Sequence, residues 1–402
     1  MTHKAHRAAQ AGLFPVGNVE IPVLPTIHAT TVLFPDTRAL APLDRDSLSR
    51  SGGSPYDNFY YGGVGTPTTE AFSRTVAGLE GGTHAVLAPS GQSALVATLS
   101  ALLKQGDHVL IVDTVTYTTR WYIDQCLAPS GVTVTYYPPE VTDIGPYLRP
   151  NTRVVFMESP GSLTFEVQDV PAICRTARHH KAVTVLDNTW AASHCFEPFS
   201  HGADISVLSL TKYHAAPAGV SLGAVVTRDE GLHGTIKNQA ALLGLHVCPE
   251  ACSRAALALA TLELRLRHQE KTVRHVLEGL AGHPALHALF HPSLPDALGH
   301  EQWRRDFTGT NSLLSLSFQG LDRATVLARV DRFRVIRIGY GWGGNLSLVT
   351  VFEANEWRTV SRTQARGTCL RIYLGLEEPA ELLADLRQAL EGPTRDAPRT
   401  HP

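Results

Sequence analysis

Two short apolar runs near the middle of the chain each end in a side chain that could do chemistry. Ala182 to Leu186 is followed by Asp187, and Ile205 to Leu210 is followed by Thr211 and Lys212. Such runs are typical of fully buried strands in a parallel sheet. Because open α/β sheets bind ligands beyond the carboxyl ends of their strands, we expect Asp187 and Lys212 to lie at one binding edge.

An acid and a lysine at strand ends suit a site for pyridoxal phosphate. A lysine can hold the aldehyde of this cofactor as a Schiff base. An acid can keep the pyridine nitrogen protonated, so that the ring acts as an electron sink. An ordinary ion pair between Asp187 and Lys212 explains the same pattern equally well, and the pattern alone leaves both interpretations open.

The residues around these positions resemble the Cys/Met-metabolism family of pyridoxal phosphate enzymes. The motifs that carry the resemblance are LDNTWAAS, SLTKY and the segment Glu158 to Ile173, ESPGSLTFEVQDVPAI, which is typical of cystathionine β-lyases. The resemblance runs from Pro22 to Leu390. It implies that Lys212 forms the Schiff base and that Asp187 partners the pyridinium. It also implies an α/β aminotransferase-like fold of type I, with a mostly parallel seven-stranded sheet flanked by helices and a smaller C-terminal α/β domain.

Further positions are implied to hold the cofactor phosphate. APSGQSALVATL places Ser90, Gly91 and Gln92 between a strand and a helix, where backbone N–H groups can bind an anion. A turn of small residues is also common at such a junction. The resemblance implies backbone donors at Gly91 and Gln92 and hydroxyl donors at Ser209 and Thr211. The cofactor-binding positions are, in full, Tyr61, Ser90, Gly91, Gln92, Tyr117, Asp187, Thr189, Ser209, Thr211 and Lys212.

Two positions near the expected cofactor depart from the family's pattern. Tyr61 matches a tyrosine that reaches a neighbouring subunit's phosphate, but Gly63 stands where the family has an arginine, so one charge-assisted contact is missing. Thr116 stands where the family has a tyrosine that stacks on the pyridine ring. A one-residue shift of the loop would bring Tyr117 onto the ring, where it could also assist proton transfer. A tyrosine packed on the protein surface is the other interpretation.

The substrate contacts are implied to come from the C-terminal part of the chain. GTCLRIYLGLE matches the strand whose arginine grips the substrate's α-carboxylate, which gives that role to Arg371. IGYGWGGNLSL resembles the substrate loop of β-lyases, with Tyr340 and Trp342 at matching positions. Gly341 replaces the family's serine. An aromatic pair beside glycines is also typical of plain core.

The resemblance favours a lyase that eliminates a thiolate across Cα–Cβ of an amino acid, because no acidic residue stands where γ-acting relatives have one. The departures at Gly63, Thr116 and Gly341 favour a specialised relative of cystathionine β-lyase. One alternative is γ-elimination or γ-replacement on another amino acid, including one with a non-sulfur leaving group. The other is a non-catalytic protein that kept the fold.

Composition and length set the remaining expectations. The chain has 402 residues and a net charge of −2, which gives no electrostatic reason to expect nucleic acid or a membrane as partner. We predict an extended arm over 1–61 with a loop at Ser49–Pro55, a cofactor domain over 62–255 and a small domain over 256–402. A long linking helix over Cys252–Gly282 and a disordered tail after Glu391 complete this division.

The resemblance implies that the arm wraps a neighbouring subunit in a homo-oligomer, with a dimer of dimers as the expected assembly. The N-terminus lacks the apolar core of a signal peptide, and the cysteines are scattered, so we expect a cytoplasmic enzyme without a metal site. The expected partner is a small amino acid.

Overall fold

The computed structural model describes residues 7–39, 56 and 59–391. The loop predicted at Ser49–Pro55 and the tail predicted after Glu391 lie outside the described residues. Within the described ranges, no helix is both long enough and apolar enough to cross a bilayer.

The described part of the predicted arm contains a short antiparallel hairpin. Its strands are β1 (Phe14–Val16) and β2 (Val19–Ile21). Helix α1 (Pro67–Glu80) follows the arm and begins at Thr66, whose hydroxyl accepts from the Thr69 N–H. The Thr68 hydroxyl donates to the Pro25 carbonyl at 2.6 Å and accepts from the Ile27 N–H at 2.9 Å. The arm is therefore attached to the first turn of α1.

The first sheet has seven strands, as predicted. In chain order they are β3 (His84–Ala88), β4 (His108–Val112), β5 (Thr133–Tyr137), β6 (Thr152–Glu158), β7 (Val183–Asp187), β8 (Ile205–Leu208) and β9 (Gly223–Thr227). Their order across the sheet is β3-β9-β8-β7-β6-β4-β5. The pairs from β8 to β5 are parallel, whereas β9 is antiparallel to both of its neighbours. The predicted mostly parallel sheet is confirmed.

Helices connect these strands and cover the sheet. They are α2 (Gly91–Leu102), α3 (Tyr117–Tyr122) with a π-helical turn (Ile123–Leu127), α4 (Val170–His179) and α5 (Glu230–Leu242). Short 3-10 turns lie at Gly145–Tyr147 and Ala216–Ala218. The strands between the helices carry fully buried apolar side chains such as Leu110, Phe156 and Leu186. The two-sided burial explains why these strands read as continuous apolar runs.

The single linking helix predicted over Cys252–Gly282 is wrong. Two helices occupy this region, α6 (Pro249–Leu259) and α7 (Leu262–Leu280). At the break, the Thr261 hydroxyl and the Arg265 Nη2 both donate to the Ala258 carbonyl, at 3.2 and 3.0 Å. These side chains satisfy a carbonyl at the end of α6, so the chain can change direction without leaving it unpaired.

The second sheet has five strands in the order β10-β11-β14-β13-β12. They are β10 (Leu286–Phe290), β11 (Leu313–Phe318), β12 (Arg337–Ile338), β13 (Leu348–Glu353) and β14 (Thr368–Tyr373), accompanied by helices α8 (His300–Asp306), α9 (Arg323–Val330) and α10 (Pro379–Glu391). Most of its apolar side chains form a core separate from that of the first sheet, and α7 takes part in both, through Leu266 and Val273. The domain boundaries given above remain predictions.

Candidate active site

A cavity of about 630 Å³ opens at the carboxyl edge of the seven-stranded sheet. Glu158 at the end of β6 pairs in register with Asp187 at the end of β7, and Asp187 pairs with Val207 of β8. Because these three strands are parallel neighbours, their ends meet at one edge, and Lys212 follows β8 there. Glu158, Asp187 and Lys212 all line the cavity.

Asp187 is the acid at the floor of this cavity. Burial raises its pKa, and hydrogen bonds from Thr189 together with the charge of Lys212 oppose the rise. The Thr189 N–H donates to Asp187 Oδ1 at 3.0 Å, and the Thr189 hydroxyl accepts from the Ser209 N–H at 2.9 Å. Asp187 is thus oriented by its own strand end, while Thr189 connects β7 to the segment after β8.

Lys212 lies in surroundings that favour its neutral amine. Burial lowers its pKa, the positive charge of Arg371 lowers it further, and Asp187 opposes both. The Lys212 Nζ lies 5.5 Å from the centre of the Trp342 ring. A lysine whose pKa is lowered by burial is suited to act as a nucleophile or a base, because its unprotonated form is more populated.

The start of α2 forms a cradle for an anion at the same edge. As the first residues of a helix, Gly91 and Gln92 have N–H groups without an intrahelical acceptor, and both residues line the cavity with Ser209. A Cβ atom on Gly91 would meet the Ser209 Cβ at 2.4 Å, so only glycine allows this approach. Backbone donors, a hydroxyl, a half-buried acid and a lysine together fit pyridoxal phosphate.

Two predicted phosphate contacts have other partners in the structure. Ser90 is the N-cap of α2, with its hydroxyl accepting from the Ser93 N–H at 3.1 Å. The Thr211 hydroxyl donates to the Leu222 carbonyl at 3.0 Å and accepts from the Leu222 N–H at 3.1 Å. Neither residue lines the cavity. Their assignment to the cofactor remains a prediction.

Tyr61 also lies away from the cavity of its own chain, and 52% of it is exposed. Its ring folds back against Gly63, where a Cβ atom would meet the Tyr61 Cε1 at 2.7 Å. An arginine at position 63 would therefore displace the Tyr61 ring from this position. The absence of the family's arginine is consistent with the local packing of the chain.

Arg371 is positioned by the centre of the second sheet. It lies on β14 and pairs in register with Ser315 of β11 and Thr350 of β13. Its Nη2 donates to the Tyr340 and Gly341 carbonyls at 2.5 and 3.3 Å, and its buried Nε has no partner. Burial lowers its pKa to about 10, so the guanidinium stays charged at neutral pH.

No carboxylate among the described residues forms an ion pair with Arg371. A charged guanidinium that is held by carbonyls, with one donor unused, is suited to a carboxylate from outside the protein. Trp342 and Tyr340 lie beside it on the cavity wall. Trp342 packs edge-on against Tyr213, at 5.3 Å between ring centres, whereas the Tyr340 side chain is 87% exposed at the rim.

Tyr117 lies at the start of α3 and lines the cavity. Its ring is tilted against Trp357, with ring centres 4.3 Å apart, and stacks on Trp121 at 5.9 Å. Thr116 precedes it and donates its N–H to Glu158 Oε2 at 2.7 Å. The structure thus brings Tyr117 to the cavity but pairs its ring with tryptophans of this chain.

Of the predicted site residues, ten line the cavity and three do not. The ten are Gly91, Gln92, Tyr117, Asp187, Thr189, Ser209, Lys212, Tyr340, Trp342 and Arg371; the three are Tyr61, Ser90 and Thr211. Sequence reasoning missed Glu158. Its pKa is raised well above the usual range by burial and by the charge of Asp187. Glu158 ends a buried strand as Asp187 does, which is the signal that could have identified it.

The family model for Cys/Met metabolism PLP-dependent enzymes matches residues 19–391. A putative cystathionine beta-lyase of Rhizobium johnstonii is 36% identical over 369 residues, covering 90% of each chain. An L-alanine/L-glutamate racemase of Wolbachia pipientis is 33% identical over 383 residues, covering 91% of each. The crystal structure of a cystathionine gamma synthase from Xanthomonas oryzae is 25% identical, with a TM-score of 0.85, and covers 96% of this chain and 97% of that one.

Proposed function

We propose that this chain, which belongs to the Cys/Met metabolism family of pyridoxal-phosphate-dependent enzymes, is a carbon–sulfur lyase acting on an amino acid. The reaction is β-elimination from an S-substituted cysteine, in a specialised relative of cystathionine β-lyase. The observation that carries the proposal is the meeting of Lys212, Asp187 and Arg371 around one cavity. A half-buried amine, a half-buried acid and an arginine without an anionic partner among the described residues are the groups that this reaction needs.

The cofactor and the chain divide the chemistry between them. When bound, pyridoxal phosphate supplies a conjugated ring that takes up the negative charge developing at the substrate's Cα. Asp187 would hold the proton on the pyridine nitrogen. Gly91 and Gln92 N–H groups, with the Ser209 hydroxyl, would hold the phosphate. These roles match the positions of the four residues at the cavity floor.

Lys212 and Arg371 would act on the substrate. Arg371 binds the α-carboxylate and so fixes the direction in which the substrate's Cα–H bond points. The neutral Lys212 amine then removes the Cα proton, a role that its lowered pKa favours. The Cβ–S bond breaks, its electron pair leaves with sulfur, and the sulfur takes up a proton as a thiol. The remaining three-carbon fragment reacts with water to give pyruvate and ammonia.

Two other reactions are candidates, because proteins similar to this chain are named for them. The Xanthomonas oryzae neighbour is named for a γ-reaction, and the Wolbachia relative is named a racemase. A γ-reaction requires Lys212 to move a β-proton as well, and a racemase would return the proton to the opposite face of Cα. A non-catalytic protein is disfavoured because Lys212, Asp187 and Arg371 are all retained.

The carbon skeleton of the product tests the reaction. Purified holoenzyme incubated with S-methyl-L-cysteine is expected to release methanethiol, pyruvate and ammonia in equal amounts. Chiral chromatography of the remaining amino acid should find the L form alone. A four-carbon keto acid from homocysteine-type substrates, with no pyruvate from S-methyl-L-cysteine, assigns γ-chemistry. Accumulation of the D form without pyruvate assigns racemisation.

A homo-oligomer, with a dimer of dimers as its full form, is also proposed. The proposal is supported by Tyr61, which lies on an arm, is 52% exposed and does not line the cavity of its own chain. Sedimentation equilibrium is expected to give at least twice the chain mass of 43.5 kDa. A fully active monomer would contradict this.

A cytoplasmic location is supported by six free thiols, which persist in a reducing compartment.

A further inference from the structure

The outer wall of the cavity is formed by a segment that follows β13, residues 355–361, and that crosses from the second sheet towards the first. Asp113, which follows β4, holds this segment. Its carboxylate accepts from the N–H groups of Thr359, Val360 and Ser361 at 3.0, 3.0 and 2.8 Å, and from the hydroxyls of Thr359 and Ser361 at 2.8 and 2.7 Å. Asp113 is 2% exposed. Although burial opposes it, these hydrogen bonds hold the pKa of Asp113 far below its usual range.

Two further contacts fix the 355–361 segment. The Arg120 Nη2 donates to Asp113 Oδ1 at 2.6 Å, in a pair whose side chains are 6% and 0% exposed. Arg358, inside the segment, pairs with Glu166 at 2.6 Å, with side chains 8% and 7% exposed. Both pairs are buried, and paired buried charges favour one geometry, because any other arrangement leaves a charge without its partner. The wall is therefore preorganised and not a loose loop.

Trp357 is the aromatic residue that this wall presents to the cavity, beside Glu356. Its neighbours in the cavity lining are Tyr117, which contacts its ring, together with Leu163 and Phe352. Leu163 has a φ of +70°, a left-handed conformation that is strained for a leucine. The loop that contains Leu163 thus keeps an apolar side chain in the cavity lining despite the backbone strain. Trp357 itself is 39% exposed, so part of this residue is open to a ligand.

The charged side chains that line the cavity restrict which groups the substrate can carry at the end remote from its Cα. The cations that line the cavity, within the part of the chain that the structure describes, are Lys212 and Arg371. Both are occupied in the proposed reaction, by the cofactor and by the α-carboxylate. The charged residue of the outer wall that lines the cavity is Glu356, an acid, whereas Arg358 is paired with Glu166. Among the described residues, a second carboxylate on the substrate, as in cystathionine, would meet no further lining cation and would be repelled by Glu356.

We propose that Trp357 is a specificity-determining residue, which selects cysteines whose sulfur carries an apolar or aromatic group without a second carboxylate. The inference rests on the proposed β-elimination, because it assigns the substrate class of that same site. Asp113 is a positioning residue that acts through Trp357. An aromatic ring on the substrate would lie against the exposed part of Trp357, and aromatic contacts of this kind add to the effect of burial alone.

The test compares S-benzyl-L-cysteine with L-cystathionine and S-methyl-L-cysteine. Wild-type holoenzyme is expected to favour S-benzyl-L-cysteine over L-cystathionine in kcat/KM by about tenfold or more. Trp357→Ala should reduce this ratio by about tenfold, through KM, whereas Trp357→Phe should retain most of it. Asp113→Asn should shift KM for S-benzyl-L-cysteine in the same direction while keeping kcat for S-methyl-L-cysteine, which a merely misfolded variant would lose.

Trp121→Ala is the matched control, because Trp121 also stacks on Tyr117 but does not line the cavity. It should leave the substrate ratio unchanged. Equal or better use of L-cystathionine by the wild type, or an unchanged ratio in Trp357→Ala, overturns the inference. If no substrate yields pyruvate, the proposed β-elimination fails. Dissociation constants of the same ligands, measured by calorimetry on wild type and Trp357→Ala, then decide the role of Trp357 by the same tenfold criterion.

Discussion

Replacing Lys212 by alanine is expected to lower kcat by at least about a thousandfold. The amine is the only base that we place at the substrate's Cα, and losing both a general base and a covalent anchor removes two catalytic contributions together. Substrate affinity should change much less, because Arg371 remains. Steady-state release of pyruvate and calorimetric binding of a slow substrate separate the two effects.

Lys271→Ala is a suitable control for this experiment. Lys271 is an exposed lysine on α7, and it does not line the cavity. Its loss should leave kcat within the error of the wild-type value. Retention of more than about a tenth of the activity by Lys212→Ala would mean that another group removes the proton, since a positioned general base contributes about 10²–10⁴-fold.

Replacing Arg371 by alanine is expected to raise KM by about two orders of magnitude with a smaller change in kcat. Removing one partner of a buried charge pair costs about 2–5 kcal/mol, because the substrate carboxylate then lacks its counter-charge. Arg371→Lys should recover only part of the loss, since an ammonium cannot form the bidentate contact. Initial-rate kinetics on S-methyl-L-cysteine measure both parameters.

The absorbance of the bound cofactor provides a second readout for the arginine variant. Arg371→Ala is expected to keep its cofactor, because the proposed phosphate contacts lie at the edge of the first sheet, at Gly91, Gln92 and Ser209. Arg366→Ala, a change at an exposed arginine shortly before β14, should leave KM unaltered. Loss of the cofactor with an unchanged KM would mean that Arg371 binds the cofactor phosphate and not the substrate carboxylate.

The sequence was sufficient to predict the floor of the site, because the floor is made by strand ends. Buried parallel strands have a plain apolar signature, and the residue after each strand is carried to the same edge of the sheet. Asp187 and Lys212 were found in this way. Glu158 follows the same rule, at the end of β6, but the cofactor chemistry requires only one acid, and Asp187 already supplies it. Arg371 was identified through its motif, and β14 places it on the wall of the cavity that Lys212 also lines.

The outer wall could not be predicted in this way. It depends on Asp113, whose bonds to the 355–361 segment join residues 246 to 248 positions apart. Most of the donors in these bonds are backbone N–H groups, which every residue except proline has, so the sequence does not reveal them.

The break between α6 and α7 was missed for a similar reason. Thr261 and Arg265 are compatible with a continuous helix, and their bonds to the Ala258 carbonyl appear only in the structure.

Reductive labelling tests the central claim most directly, which is that the cavity at the sheet edge is the cofactor site. Borohydride reduction of the holoenzyme, followed by proteolysis and mass mapping, is expected to find the pyridoxyl group on the peptide that contains Lys212. Lys237 offers a sharp comparison, because it lines a separate cavity of about 90 Å³ beside Gly63. A label on Lys237, or on any lysine other than Lys212, would contradict the account.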